Sequence, residues 1–509
     1  MIGRNVFARL RRGLAAGSSL AVLLLASPLQ AADGPPQASP GVEIEKQDRS
    51  VYKADPKYLG NPYDPAQQID IYGGKHNIDE PRPVLELGIP LYREGPVAGG
   101  YDVVGRKNLV NPAFSIFGDW RNGVAYNDNG HDKKVGVAAT RLNLETDLAL
   151  TATERVHALF RPLDQGGKFT RAEFFGPDRK DNQGILNGNV RTLFFEGDVG
   201  NIVAGLTDSY QSFDLPVSFG LMPLIFQNGI WVNDEITGAA FSIPARNSPL
   251  LGISNMDISF FAGFDKVSSP AIKDANGNFV DHGVRVYGMA AFVEANQGFW
   301  EGGVGHVDDR EGFNVGSYDS LTLAFTRRYF GWLSNSVRGI WTIGENPNKS
   351  KANPADGYIF LMENSLVTKR ELTLVPYMNL FAGFKKPQSL IRNADAGGVL
   401  FNTGITFETD GLTGFPKMDD TGQDTYGGAL GVEYLFNLDQ QIVVEASTVQ
   451  VRNGEFNKNR PAKSDQYGLG ARYQLPLTND LIFRSDVIYA KRLHDDNLAG
   501  VRSEIRLKF

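Results

Sequence analysis

The sequence predicts an all-β fold, a transmembrane antiparallel up-and-down β-barrel of about 16–18 strands. Three observations predict it. In the last nine residues Val501, Ser503, Ile505, Leu507 and Phe509 alternate with Arg502, Glu504, Arg506 and Lys508. Runs of the same period-two pattern, about ten residues long, recur upstream. No stretch reaches the roughly eighteen consecutive apolar residues that a membrane-crossing helix needs.

Alternation sends successive side chains to opposite faces of a strand. The terminal strand therefore has one mostly apolar face and one fully charged face. In a soluble sandwich the charged face meets water; in a membrane barrel the apolar face meets lipid and the charged face lines a lumen. Length favours the barrel, because runs of about ten residues exceed the usual soluble strand of about five or six. From Val501 to Phe509 is roughly 26 Å along a strand. A tilt near 40° brings that to about 20 Å, close to an apolar band of roughly 25 Å.

Residues 1–31 have the make-up of a secretory signal peptide. Arg4, Arg9, Arg11 and Arg12 precede a mostly apolar run over 14–25, and Ala31 is the small residue before the expected cut. Removing this leader moves the formal charge from −7 to −11. Such an acidic chain lacks the basic surface of a nucleic-acid binder. There is no cysteine, which excludes c-type haem attachment, iron–sulfur clusters and disulfides; no cofactor is expected. Residues 32–82 scatter Pro35, Pro36, Pro40, Pro56, Pro62, Pro65 and Pro81 among charges and show no lasting alternation. They read as an extended Pro-rich segment, serving either as a lead-in or as a plug or docking tail.

Residues 83–509 are the barrel. Strand-like stretches run at 84–92, 113–119, 121–127, 136–150, 155–161, 190–197, 199–206, 237–246, 256–265, 282–293, 297–306, 317–328, 333–344, 357–367, 371–384, 397–407, 426–436, 441–451, 466–475, 480–490 and 499–509. Several of the early ones are expected to merge or to be loops. From about residue 408 onward, short connections (437–440, 476–480) alternate with longer polar ones (411–425, 452–465, 491–498), as turns and outer loops do in such barrels. Further back the count fails: the short connection at 368–371 falls on the long-loop side. Either a strand between 385 and 425 is missed or one outer loop is trimmed.

The stretch 215–252 resists the strand pattern. Pro216, Pro223, Pro244 and Pro249 argue against a long continuous central strand. Residues 219–231 read as an apolar hinge with two placements. It folds into the lumen as a constriction carrying Gly220, Pro223, Gly229 and Trp231, or it sits at the lipid boundary with Trp231 in an interfacial aromatic belt.

Alternation assigns Arg472, Arg484, Asp486, Arg502, Glu504, Arg506, Lys508, Glu433 and Glu445 to the lumen. Opposed charges there order water and select polar solutes; alternatively they pair across strands and fill a polar interior. Val501, Ile505, Leu507 and Phe509 face the membrane. The acidic groups at 306–311, at Asp419, Asp420 and Asp424, and at Asp495 and Asp496 lack the spacing of a calcium loop, so no metal site is expected. The six His, namely His76, His131, His157, His282, His306 and His494, form no nucleophile elbow and no zinc spacing, so no catalytic residue is expected.

The terminal Val501/Ile505/Leu507/Phe509 strand resembles the assembly signal of Gram-negative outer-membrane β-barrel porins. A second resemblance lies in Gly220-Leu221-Met222-Pro223-Leu224 followed by Gly229. It is similar to the Gly-Arg-Gln-x-Leu element of alginate-export-type and related substrate-specific porins, with Leu-Met in place of Arg-Gln. Together they imply an outer-membrane channel for passive transport of a hydrophilic solute. They imply 32–82 as a periplasmic segment, and as partners the membrane lipid and lipopolysaccharide, the barrel-assembly machinery, a small solute or polysaccharide, and a homo-oligomer. The replaced Arg-Gln pair removes a lumen cation that an anionic polymer would use. Two alternatives stand beside the channel: an export channel for a secreted polysaccharide, and a plugged structural or adhesive barrel.

Overall fold

A computed structural model describes residues 81–89, 99–130, 134–176, 182–273, 280, 282–309, 316–344, 355–368, 374–408, 411–436, 440–454 and 456–509. The leader at 1–31 and most of the Pro-rich segment at 32–82 lie outside the described residues. The barrel unit comprises residues 74–208 and 214–509. Residues 209–213 fall outside that unit; there the Gln211 amide donates to the Ser209 carbonyl at 3.1 Å.

Eighteen antiparallel strands close into one barrel. They are β1 (Ala113–Asp128), β2 (Lys134–Ala149), β3 in two pieces (Arg155–Phe160 and Lys168–Phe175), β4 (Val190–Asp198), β5 (Pro216–Phe226), β6 (Val232–Ser248), β7 (Ile253–Asp265), β8 (Val284–Ala295), β9 (Gly298–Asp309), β10 (Tyr318–Tyr329), β11 (Leu333–Gly344), β12 (Gly357–Leu366), β13 (Leu374–Lys385), β14 (Thr425–Phe436), β15 (Gln440–Val451), β16 (Gln466–Pro476), β17 (Leu481–Arg492) and β18 (Leu498–Lys508). Each pairs with the next, and β18 returns to β1 in the register Lys508↔Asp119 to Ala499↔Asp128. Phe509 completes the seam, exchanging backbone hydrogen bonds with Gly118 at 2.7 and 3.1 Å.

The alternation seen in sequence sorts the two faces. Val487, Tyr489, Val501 and Ile505 are exposed on the outer face, while Asp486, Arg502 and Glu504 between them are buried. Short turns gather at one end of the barrel, such as Asn296 and Gln297, both left-handed, between β8 and β9. That conformation matches the twist of a two-residue hairpin.

Several expectations are corrected. Residues 113–119 and 121–127 form one strand, β1, through Trp120. Of 84–92, among the described residues 84–89, Leu85–Gly88 is a strand, paired to the start of β1; residues 90–92 lie outside the described residues. The second half of β3, at 168–175, is an additional strand piece. Residues 199–206 are helical, in α1 (Val199–Thr207). The Asp198 side chain accepts the Asn201 N–H at 2.8 Å, the N-cap arrangement that starts a helix. Residues 397–407 are not a strand. They belong to the 386–424 connection between β13 and β14, and removing them from the count repairs the loop pattern. The connection after β12 then joins the turn end, and 386–424 joins the long-loop end.

The prolines did not break the strands. Pro216 opens β5. Pro223 lies beyond Leu221, where β5 loses its pairing with β4. Pro244 sits where the β6–β7 register skips, between Ile243↔Ile258 and Arg246↔Met256. Next to it Ala245 is left-handed at φ 53° and its N–H goes to the Asp257 carboxylate at 2.7 Å. Strand ends, unpaired edges and bulges are the places that tolerate proline.

Beyond Leu221, β5 has no wall partner but β6, and toward the N-terminal side of Thr237, β6 has no wall partner but β5, as far as Phe226↔Val232. This free tip, 222–236, turns inside the barrel. Trp231 is fully buried, and its indole N–H donates to Ser320 Oγ at 3.1 Å. Its ring fills the space above Gly303, 2.4 Å from where a Cβ would stand. Thr322 donates to Gln227 Oε1 at 2.8 Å, and Arg338 to the Gln227 carbonyl at 2.7 Å. These partners lie on β9, β10 and β11, three to five strands around the wall from β6. The interfacial-belt placement of Trp231 is therefore overturned, since a belt residue would be exposed on the outer face.

Gly303→Leu puts a side chain where the Trp231 ring lies. The wall should still close while the tip loses its seat, at a cost of about 1–3 kcal/mol. Limited proteolysis of the folded barrel should then cut within 222–236, whereas an uncut tip would refute the packing described.

Candidate functional site

The lumen is crossed by two segments, the tip at 222–236 and the loop at 386–424. They are joined by a short parallel pairing, Ile391↔Val232 and Arg392↔Asn233. The Leu390 N–H donates to the Trp231 carbonyl at 2.8 Å, and the Asn393 N–H to the Asn233 carbonyl at 2.9 Å. Arg392 locks the junction and is 1% exposed. Its Nε donates to Ser389 Oγ at 3.0 Å, Nη1 to the Ala396 carbonyl at 2.8 Å, and Nη2 to the Gly229 carbonyl. A planar guanidinium can hold several carbonyls in one fixed geometry, and a lysine cannot. Burial lowers its pKa to about 10, so it stays charged at neutral pH.

The loop then runs along the inner wall. Glu445 on β15 accepts the N–H groups of Ile405 at 2.8 Å and Thr406 at 2.9 Å, and the Tyr377 hydroxyl at 2.6 Å. Further on, Leu412 packs with Ala139 and Phe169, and Asn127 donates to the Thr413 carbonyl at 2.6 Å. The loop thus reaches from the tip to β15 and on to β1 and β2.

Where the loop leaves the tip, Asp395 meets a fan of arginines. Arg141 Nη2 is 3.6 Å from its carboxylate, Arg161 Nη1 3.9 Å and Arg191 Nη2 3.6 Å. Arg141 also pairs with Asp164 at 3.1 Å, and Arg191 with Glu235 at 2.9 Å. Asn393 donates to Glu235 at 2.5 Å. Arg191 Nε is buried with no hydrogen-bond partner. Three cations converge on one loop carboxylate, with donor capacity left over. This is the arrangement that binds an anionic oxygen group.

The charged residues expected in the lumen all lie on the inner face of β14–β18. Asp486 gathers Arg472 at 2.7 Å, Arg484 at 2.9 Å and Arg502 at 2.8 Å. Arg472 reaches Glu408 of the loop at 2.5 Å. Glu504 pairs with Arg121 at 2.7 Å, and Arg506 with Asp119 at 3.1 Å. Glu433 accepts from Gln441 at 2.6 Å, and Lys508 ends β18 at the turn end. On the tip, Gly229 is buried, Pro223 is exposed, and Gly220 lies just below where the tip leaves the wall. The sequence reading did not single out Arg141, Arg161, Arg191, Glu235, Asp395 or Arg392. They come from five separate segments, and only the failed loop count near 385–425 pointed toward that region.

No family model and no curated protein matches the sequence. The fold is similar to solved barrels from Pseudomonas aeruginosa. OccK9 (OpdG) aligns with a TM-score of 0.51 and 12% identity over 78% of this chain and 98% of its own. OpdK with vanillate gives 0.50 and 12%, over 78% and 98%. OccK2 (OpdF) in complex with glucuronate gives 0.50 and 9%, again over 78% and 98%. At these identities the likeness establishes the fold. It lends nothing to the resemblance drawn to alginate-export channels.

Two outcomes follow from the loop's anchors. Arg392→Ala strands buried carbonyls and should cost the docked loop about 1–3 kcal/mol for each one left unpartnered, seen as faster hydrogen exchange over 386–424 with the wall strands unchanged. The second concerns pH. Burial, then the charge of Asp420, pushes the Asp419 carboxyl from 3.8 up to about 7. Its ionised form disfavours the docked loop, so docking is strongest below about pH 4 and weakens as pH rises from there to about 7. Exchange over 386–424 should accelerate across that window, and Asp419→Asn should flatten the profile. A flat wild-type profile would count against this role.

Proposed function

We propose that the chain is an outer-membrane pore for passive uptake of a small hydrophilic solute bearing a carboxylate. The observation that carries the reading is the fan of Arg141, Arg161 and Arg191 around Asp395. A solute carboxylate can take over the ion pairs that the loop carboxylate makes and use the unpartnered Arg191 Nε. The solved barrels it resembles are substrate-specific outer-membrane porins, and two of them carry glucuronate and vanillate, both carboxylates. Asp395, Asp164 and Glu235 balance the three arginines, so the site holds an anion weakly enough to release it, as conduction requires.

In this reading 1–31 is a cleaved leader and 32–82 a periplasmic segment. The outer face meets lipid, and the paired charges on β14–β18 keep the lumen polar. Neither polysaccharide export nor a plugged barrel gains support from the likenesses.

Refolded residues 32–509 in a planar bilayer should give a steady conductance that glucuronate blocks more strongly than glucose. Arg161→Ala with Arg191→Ala should weaken that block about tenfold, a loss of ~1.4 kcal/mol. Asp395→Asn should strengthen it. An inserted barrel that stays silent, or one blocked equally by both sugars in all variants, would overturn the reading.

A further inference from the structure

The register fixes which residues the outer face presents at mid-height, and one sector differs from the rest. Across β17, β18, β1, β2 and β3, two adjacent rows read Ser485, Ser503, Val124, Ala138, Ala172 and Phe483, Ile505, Asn122, Thr140, Thr170. Half of these ten positions are polar. Elsewhere the mid-height outer positions are apolar, for example Leu193, Phe219, Leu323, Val337, Phe360, Leu430 and Leu469, all exposed. Trp120 and Tyr126, exposed on the same face of β1, mark the two aromatic edges of the apolar band. Asn122 lies between them.

The hydroxyls of this patch are satisfied within the chain. Thr140 donates to the Arg121 carbonyl at 3.2 Å and accepts the Trp120 indole N–H at 2.8 Å. Thr170 donates to the Ile185 carbonyl at 2.9 Å, and Ser485 to the Arg502 carbonyl at 3.1 Å. Asn122 is exposed, and among the described residues its amide has no hydrogen-bond partner. An amide facing hydrocarbon without a partner is costly. Beside it lies a groove of about 620 Å³ lined by Val124, Ala138, Ala172 and Ser503. It opens outward, because behind Gly123 the inner side is filled by Thr413 and Leu412. Small residues of this kind let two protein surfaces approach closely in lipid.

We propose that this sector is the contact between two copies of the chain in the membrane, with the two Asn122 amides paired across a two-fold axis. A carboxamide both donates and accepts, so it complements itself under that symmetry, where each copy offers the same patch. Lipid tails offer neither donor nor acceptor. The proposal rests on the membrane-spanning reading of the barrel.

The chain has no cysteine, so Asn122→Cys and, on the far side of the wall, Val337→Cys each introduce a unique thiol. Both barrels are refolded into dilute proteoliposomes, insertion is verified by protease protection, and a short bismaleimide is added. The Asn122→Cys barrel should form a cross-linked dimer at least about tenfold more than the Val337→Cys barrel. Independently, Asn122→Leu should shift the wild-type mass in mild detergent from dimer to monomer. Equal cross-linking of the two thiols, a wild-type monomer in both media, or protection of the Asn122→Cys thiol only when lipopolysaccharide is added would overturn the proposal. Failure to insert would overturn the membrane reading and this contact with it.

Discussion

The rest of the structure depends on closure of the backbone ladder. A β-strand leaves one row of N–H and C=O groups unpaired at each free edge, and a sheet removes both rows only by meeting itself. Here the seam is the ten-pair register between β18 and β1, extended by Phe509 onto Gly118. Closure gives every strand two neighbours, fixes one face inward and one outward, and so turns a simple alternation in sequence into a charged interior and an apolar exterior.

The interior is then filled by the chain itself. The wall meets the inserted segments with glycines, whose missing side chains leave seats for large groups. Gly303 receives the Trp231 ring, Gly305 receives Leu390, and Gly468 receives Met418. The tip and the loop are locked together by Arg392, whose guanidinium is spent on main-chain carbonyls. Fixing that junction places Asp395 at the centre of its three arginines.

The closing third of the barrel was legible because β14 to β18 alternate nearly without exception, and an eleven- or twelve-residue period-two run has few other interpretations. Elsewhere local signals competed with tertiary ones. Residues 199–206 are apolar enough to pass for a strand, but the Asp198 cap decides for a helix. Pro223 and Pro244 looked like strand breakers, and only the register reveals the unpaired edge and the bulge that accept them. Residues 397–407 alternate passably yet lie in the lumen, because Glu445 offers their N–H groups a partner that no neighbouring strand does. The arginine fan was invisible, since pairs such as Arg191 and Asp395 are brought together only by the inward turn of the tip and the lock at Arg392.

The parallel join between tip and loop also carries a cost in chain entropy. Most wall pairings are between sequence neighbours, which form quickly because little chain must be closed. Ser389 and Ile230, hydrogen-bonded at that join, are 159 residues apart. Their meeting closes a stretch of chain that contains β7 to β13, so this join carries a loop-closure cost that the hairpin pairings of the wall do not. The narrowing of the lumen is thus built from long chain closures in the interior, while the wall around it is built mostly from short ones.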